Sequence, residues 1–136
     1  MGSVEFRSDT FDLEATCIEG KQADLPLGID LANELRRRIT QIAPDVRVDE
    51  PIWEDWGTIV RLRQDADQYE LRVQWLPDRD VQNRWRLQFT RFGGLLARML
   101  GLRKPDDGCR RVEDLLARIL KEDPCTFFDV RWSLER

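Results

Sequence analysis

Histidine is absent from this sequence of 136 residues. Histidine is the commonest general base and a frequent zinc ligand, so its absence excludes Ser-His and Cys-His catalytic pairs and imidazole metal sites. A zinc site would have to use cysteines and carboxylates alone. We therefore expect a protein that is not an enzyme, with no catalytic residues, no metal and no cofactor.

Cysteine is scarce, and its spacing forms no motif. Cys17, Cys109 and Cys125 are the only cysteines, and no CxxC pair occurs. The segment Met1–Phe6 lacks the basic and apolar stretch of a signal peptide, which favours reduced thiols and a cytoplasmic location. Cys17 and Cys125 fall in strand-like segments, where a free cysteine is usually a buried apolar residue.

Phosphate-binding glycine motifs and long apolar runs are missing as well. Gly93-Gly94 is not part of a GxGxxG or GxxxxGK[ST] motif, so we interpret it as a turn. No apolar run approaches the roughly 20 residues of a membrane span, and we expect no membrane association. Five Trp and six Phe, with 41% hydrophobic residues, indicate a real core. The length predicts a single domain over residues 1–136.

Hydrophobic periodicity predicts two main helices. Apolar residues recur every three to four positions from Ile29 until Pro44 ends the pattern, and again from Val112 to Leu120 before Asp123-Pro124. A short apolar helix or turn is predicted over 95–102, followed by a polar loop. Alternation over residues 4–19 predicts a half-buried strand, with a short strand at Val4–Phe6 before it.

Three further strands with short links predict an antiparallel meander, and a last strand closes the chain. Their core-facing residues are Trp56, Thr58, Val60 and Leu62, then Tyr69, Leu71, Val73 and Trp75, then Trp85, Leu87 and Phe89, and finally Phe128, Val130 and Trp132. The stripe of aromatic residues Trp75, Trp85, Phe89, Phe128 and Trp132 should lie in the core. The order strand, helix, three-strand meander, helix, strand predicts an α+β fold. In this fold two main helices pack on one face of a mainly antiparallel, curved sheet.

The same alternation places an arginine face on the open side of the sheet. It consists of Arg61, Arg63, Arg72, Arg84 and Arg86. Arginine forks bind carboxylates and phosphates, so this face has two interpretations: a solvated surface with cross-strand ion pairs, or a site for an anionic partner, which is either nucleic acid or an acidic protein surface. The net charge of −4 disfavours nucleic acid, because the field of the whole chain would repel it.

A second group of candidate residues precedes the meander. Glu50, Trp53, Glu54 and Asp55, here called the acidic edge, combine carboxylates with a Trp that suits an interface anchor. Strand alternation turns Trp56 inward and Trp53 outward. In the structural interpretation of this segment, Gly57 supplies an unusual backbone angle or a close contact. Glu54 and Asp55 are neighbours in an extended segment, so they would not converge on one substrate atom.

The segment Glu54-Asp55-Trp56-Gly57 enters a strand, and an apolar helix, Pro124 and a closing strand with Trp132 follow. This arrangement resembles small uncharacterised bacterial single-domain proteins and immunity proteins that neutralise toxins. The resemblance implies no catalytic residues.

These observations favour a non-enzymatic protein-binding module of the bacterial cytoplasm. Its function would be that of an immunity protein, whose acidic edge occludes a basic cleft on a toxin. A small-ligand-binding domain and a homodimer formed through an apolar helix face remain as alternatives. Nucleic-acid binding through the arginine face is the more distant alternative.

Overall fold

A computed structural model describes residues 2–13, 17–18, 21–22, 26–65, 67–92 and 107–134. The strands are β1 Gly2–Arg7, β2 Cys17–Ile18, β3 Lys21–Gln22, β4 Arg47–Val48, β5 Ile52–Glu54, β6 Gly57–Gln64, β7 Asp67–Trp75, β8 Arg84–Phe92 and β9 Phe128–Leu134. The described helices are α1 Ile29–Ile42 and α2 Asp107–Glu122. Seven strands form one antiparallel sheet, and both helices pack against it, so the predicted α+β class is confirmed.

The strand order in the sheet is β4-β6-β7-β8-β1-β9, and β5 pairs with β6 on the same side as β4. The meander therefore occupies the centre of the sheet. The first strand of the chain lies between the third meander strand and the last strand, antiparallel to both. β2 and β3 form a separate two-stranded hairpin.

The predicted meander is confirmed in both pairing and orientation. Val60 lies opposite Leu71, and Leu71 lies opposite Phe89. All three are at most 1% exposed, because α1 and α2 cover this face of the sheet. Alternation with period two is the reason: once one residue of a strand faces the helices, every second residue does so.

Both ends of α1 and the end of α2 agree with the prediction, but the start of α2 does not, because the helix already includes residues 107 and 108 of the predicted polar loop. α1 starts after Gly28, which has a φ of 72°, and it ends at Ile42, two residues before Pro44. α2 ends at Glu122, directly before Asp123-Pro124, and it begins at Asp107, five residues ahead of the predicted Val112. The predictions over residues 93–106 lie outside the described part of the chain.

The short strand predicted at Val4–Phe6 is confirmed, but the longer strand predicted over residues 4–19 is wrong, because residues 8–13 are not in a strand. The regular strand is β1, and the chain bends after Arg7. The Ser8 Oγ accepts a hydrogen bond from the Thr10 N–H at 3.4 Å, a local bond that competes with a strand ladder. Phe11 is nevertheless buried and stacks on Phe127, with ring centroids 6.0 Å apart.

Some of the residues predicted to lie in the core are only partly buried. Trp85 and Phe89 are buried, but Trp75 and Phe128 are only half-buried and Trp132 is 37% exposed. Trp132 belongs to β9, which is at the end of the sheet among the described strands and pairs there with β1 alone. Cys125 is also wrongly placed, since it lies exposed in a turn rather than buried in a strand.

Candidate protein-binding surfaces

A tight hairpin presents the acidic edge. Glu54 of β5 lies opposite Gly57 of β6, which leaves Asp55 and Trp56 as a two-residue turn. A Cβ atom on Gly57 would lie 2.2 Å from the Val73 carbonyl oxygen. Only glycine allows β6 to start this close to β7, which is the predicted structural role of Gly57.

Trp56 does not face the core, so the prediction from alternation is wrong here. It lies in the turn, half-buried, and the Arg72 guanidinium lies 5.6 Å from the centre of its ring. Arg72 points away from the helices, so Trp56 covers part of the open face of the sheet. The turn interrupts the strand, and alternation cannot be extended across it.

Trp53 lies on the opposite side of the hairpin. It pairs with the buried Thr58 and is itself half-buried, so it belongs to the side of the helices, and the predicted outward orientation of Trp53 is wrong. Next to it, Ile52 pairs with Ile59 on the open face and is 44% exposed. Exposed apolar surface at this edge is therefore supplied by Ile52 as well as by Trp53, and the sequence analysis did not single out Ile52.

The carboxylates of the acidic edge are unengaged. Glu50, Glu54 and Asp55 are exposed, and none forms an ion pair or a side-chain hydrogen bond with any residue that the structure describes. Asp49, one position before Glu50, differs, because it forms an ion pair with Arg63 at 2.9 Å. Three neighbouring acids thus keep their charge available to an external cation.

The residues of the arginine face lie on the open side of the sheet, and their guanidinium groups have partners within the fold. Arg61 takes part in an interaction within the fold. Three other arginines of this face contact side-chain oxygens of other residues. The contacts are Arg63 Nη2 to Asp49 Oδ2 at 2.9 Å, Arg72 Nε to Glu70 Oε2 at 3.2 Å and Arg86 Nη2 to Gln74 Oε1 at 2.9 Å. Guanidinium groups that already have partners must give them up to bind an anion, which favours the solvated interpretation of this face.

Arg84 is the most enclosed member of this face, and it joins three segments. Its Nη2 donates to Asp129 Oδ2 of β9 at 3.0 Å, and its Nε lies 3.4 Å from Asp78 Oδ2. The hydrogen bond from Arg84 lowers the pKa of Asp129. The pKa of Asp78 is lowered mainly by the Asp80 backbone N–H and further by Arg84. The arrangement holds β8, β9 and the loop before β8 together.

A second ionic cluster, missed by the sequence analysis, links α1 to the end of α2. Arg38 Nε donates to Glu34 at 2.8 Å, and its Nη2 donates to Asp123 at 2.7 Å. Hydrogen bonds from Arg37 and then Arg38 lower the pKa of Glu34 to about 2. The Arg38 guanidinium also lies 5.1 Å from the centre of the Phe127 ring. The cluster has a structural role, because Arg38 joins α1 both to Asp123 and to the core residue Phe127.

The described residues contain neither a metal-binding cluster nor a membrane-spanning helix. Among them, no three Cys, Asp or Glu side chains are placed to hold a metal ion together. Neither of the two helices described above has the length and apolar character needed to cross a membrane.

Comparison with protein-family models, with curated proteins and with solved structures finds no match for this chain. Function is therefore inferred from the geometry of these surfaces.

Proposed function

We propose that the protein is a non-enzymatic binding module of the bacterial cytoplasm that uses its acidic edge to cover a basic surface on a partner protein. We favour one specific form of this function, in which the protein is an immunity protein that occludes a toxin. The observation that carries the proposal is the set of three exposed, unengaged carboxylates of Glu50, Glu54 and Asp55 around Ile52 and Trp53.

Charge and apolar surface at this edge have complementary uses in binding. Residues 44–57 contain five acidic residues and one arginine, so this segment attracts a basic partner and speeds their encounter. The exposed part of Ile52 and the half-buried Trp53 supply apolar contact area, which slows dissociation once water is expelled. The arginine face supports binding of an anionic partner less well, since its guanidinium groups have partners within the fold.

The experiment requires a purified partner protein. If a neighbouring gene encodes a toxin, that toxin is the candidate partner. The purified toxin is titrated calorimetrically with the wild type, Glu54→Lys and Asp55→Lys at low and high salt. Asp114→Lys on α2 is the matched control, because Asp114 is also exposed and has no ion-pair partner among the described residues.

We expect Glu54→Lys and Asp55→Lys to weaken binding by about tenfold or more and to reduce its salt dependence. Asp114→Lys should bind as the wild type does. The proposal fails if the toxin binds all three variants as it binds the wild type. It also fails if Arg61→Glu, Arg72→Glu and Arg86→Glu abolish binding while the edge variants do not.

A further inference from the structure

β9 forms the end of the sheet opposite to the acidic edge. Among the described strands it pairs with β1 alone, so one side of its backbone has no strand neighbour there. Its first part is irregular: the register with β1 shifts between Glu5 and Arg7, and Asp129 has a φ of 52°. From Arg131 to Leu134 the pairing with β1 is regular. A bulge limits further pairing at the start of β9 and leaves the remainder open.

This open part of β9 carries unusual apolar exposure. Ile52, Val130 and Trp132 are the large apolar residues found exposed among the described residues. Trp132 lies in the regular part of β9 and Val130 directly before it, next to the bulge, and each is 37% exposed. Trp132 lies opposite the core residue Val4, so it is on the side of the helices. Val130 and Trp132 line a groove of about 570 Å³ together with Ala117 and Leu120 of α2.

The open part of β9 is complementary to itself. An antiparallel pair with its centre at Trp132 places Val130 opposite Leu134 of a second copy, Arg131 opposite Ser133, and the two Trp132 rings beside each other. Apolar residues then meet apolar residues on the helix side, and polar residues meet polar residues on the open side. Such cross-strand matching stabilises a pair of strands.

Two alternative centres on β9 are less favourable than Trp132. A centre at Arg131 would place two guanidinium groups directly opposite each other, and a centre at Val130 would extend the pairing into the irregular backbone at Asp129. With the centre at Trp132 neither problem arises. Arg131 also carries its own counter-ion, since its Nε and Nη2 both lie 3.3 Å from the Asp129 carboxylate oxygens.

We infer that β9 pairs with β9 of a second copy about a two-fold axis at Trp132, so that the two sheets become one. The two acidic edges would then lie at the far ends of the combined sheet, and both would stay accessible. Five residues from each copy form a contact smaller than the roughly 800 Å² per partner of a standard interface. We therefore expect a weak dimer that forms only at high protein concentration.

Sedimentation velocity over a wide range of protein concentrations tests the interface. The wild type should shift from monomer to dimer as concentration rises, and Val130→Lys and Trp132→Lys should remain monomeric. Ile52→Lys is the matched control, because it replaces the other exposed large apolar residue at the opposite edge, and it should dimerise as the wild type does. Equal unfolding midpoints show that the variants are folded. A wild type that stays monomeric, or a dimer that Ile52→Lys disrupts and Val130→Lys does not, would overturn the inference.

Cysteine cross-linking tests the register. In a background with Cys17, Cys109 and Cys125 replaced by Ser, the substitution Trp132→Cys places two thiols directly opposite each other, at the Cα separation of roughly 4.5–5.5 Å that a disulfide accepts. Air oxidation catalysed by copper should join the two copies through a disulfide bond. Ser133 lies opposite Arg131 in this register, so the Ser133→Cys variant should form few disulfide bonds between copies. Equal cross-linking by the two variants would rule out the register centred at Trp132.

Discussion

The Arg72 guanidinium lies over the ring of Trp56, 5.6 Å from its centre, on the face of the sheet that the helices leave open. This contact gives Trp56 a role different from that of a core aromatic residue. It also fixes the hairpin that carries Glu54 and Asp55, because Trp56 is part of the turn and Arg72 belongs to β7. The acidic edge is therefore attached to the centre of the sheet.

Trp56→Ala should destabilise the protein far less than Trp85→Ala. Trp56 is half-buried, and a cation–π contact at such a site contributes about 0.5–1 kcal/mol. Trp85 is fully buried, and its truncation should cost about 3–5 kcal/mol. Urea denaturation gives the free energy of unfolding of both variants. Equal losses would place Trp56 in the core.

Gly57→Ala should disturb the hairpin. Gly57 has a φ of 156°, and an added methyl group would overlap the Val73 carbonyl oxygen at 2.2 Å. We expect a loss of about 1–3 kcal/mol in the free energy of unfolding. Glu54→Ala, at the position that pairs with Gly57, serves as the control and should change stability by less than about 0.5 kcal/mol. Equal stability of the two variants would contradict the close approach.

Thr58→Val tests a buried polar contact between β6 and the segment before α1. The Thr58 Oγ1 donates a hydrogen bond to the Leu27 carbonyl at 2.7 Å, and both residues are fully buried. Valine keeps the shape and removes the donor, so unfolding should become easier by about 1–3 kcal/mol. Thr90→Val on the open face is the comparison and should cost less. A neutral Thr58→Val would show that the bond adds nothing to stability.

Acid should weaken the ionic cluster of Glu34, Arg37, Arg38 and Asp123, which stabilises α1 and ties it to the end of α2. Hydrogen bonds from Arg37 and Arg38 lower the pKa of Glu34 from 4.5 to about 2. A lowered pKa in the folded state gives stability that is present above pH 4.5 and is lost as the pH falls towards 2. Because Glu34 is about a quarter exposed, we expect this contribution to be on the order of 1–2 kcal/mol.

The measurement for Glu34 is the free energy of unfolding at several pH values between 2 and 5. Glu34→Gln cannot ionise, so its stability should fall less steeply over this range than that of the wild type. Asp123 adds a change in the same direction, since the hydrogen bond from Arg38 lowers its pKa as well. A Glu34→Gln variant that loses as much stability as the wild type would assign the acid sensitivity to other groups.

The acidic edge shows where prediction from the sequence ends. The exposure of Glu54 and Asp55 agrees with the polarity of the segment. The positions of Trp53 and Trp56 did not follow from alternation, because Asp55 and Trp56 form a turn and the strand starts anew at Gly57. The exposure of Ile52 and Trp132 also required the fold, since only the strand order shows which strands lie at an end of the sheet.

Local patterns determined the meander and the two helices. Alternation with period two dictated which side of β6, β7 and β8 faces the core, and helical periodicity with Pro44 and Pro124 dictated the ends of α1 and α2. The tertiary structure alone decided that β1 lies between β8 and β9. The physical reason is that strand pairing between distant segments depends on backbone hydrogen bonds and on the shared core, and neither leaves a local signal in the sequence.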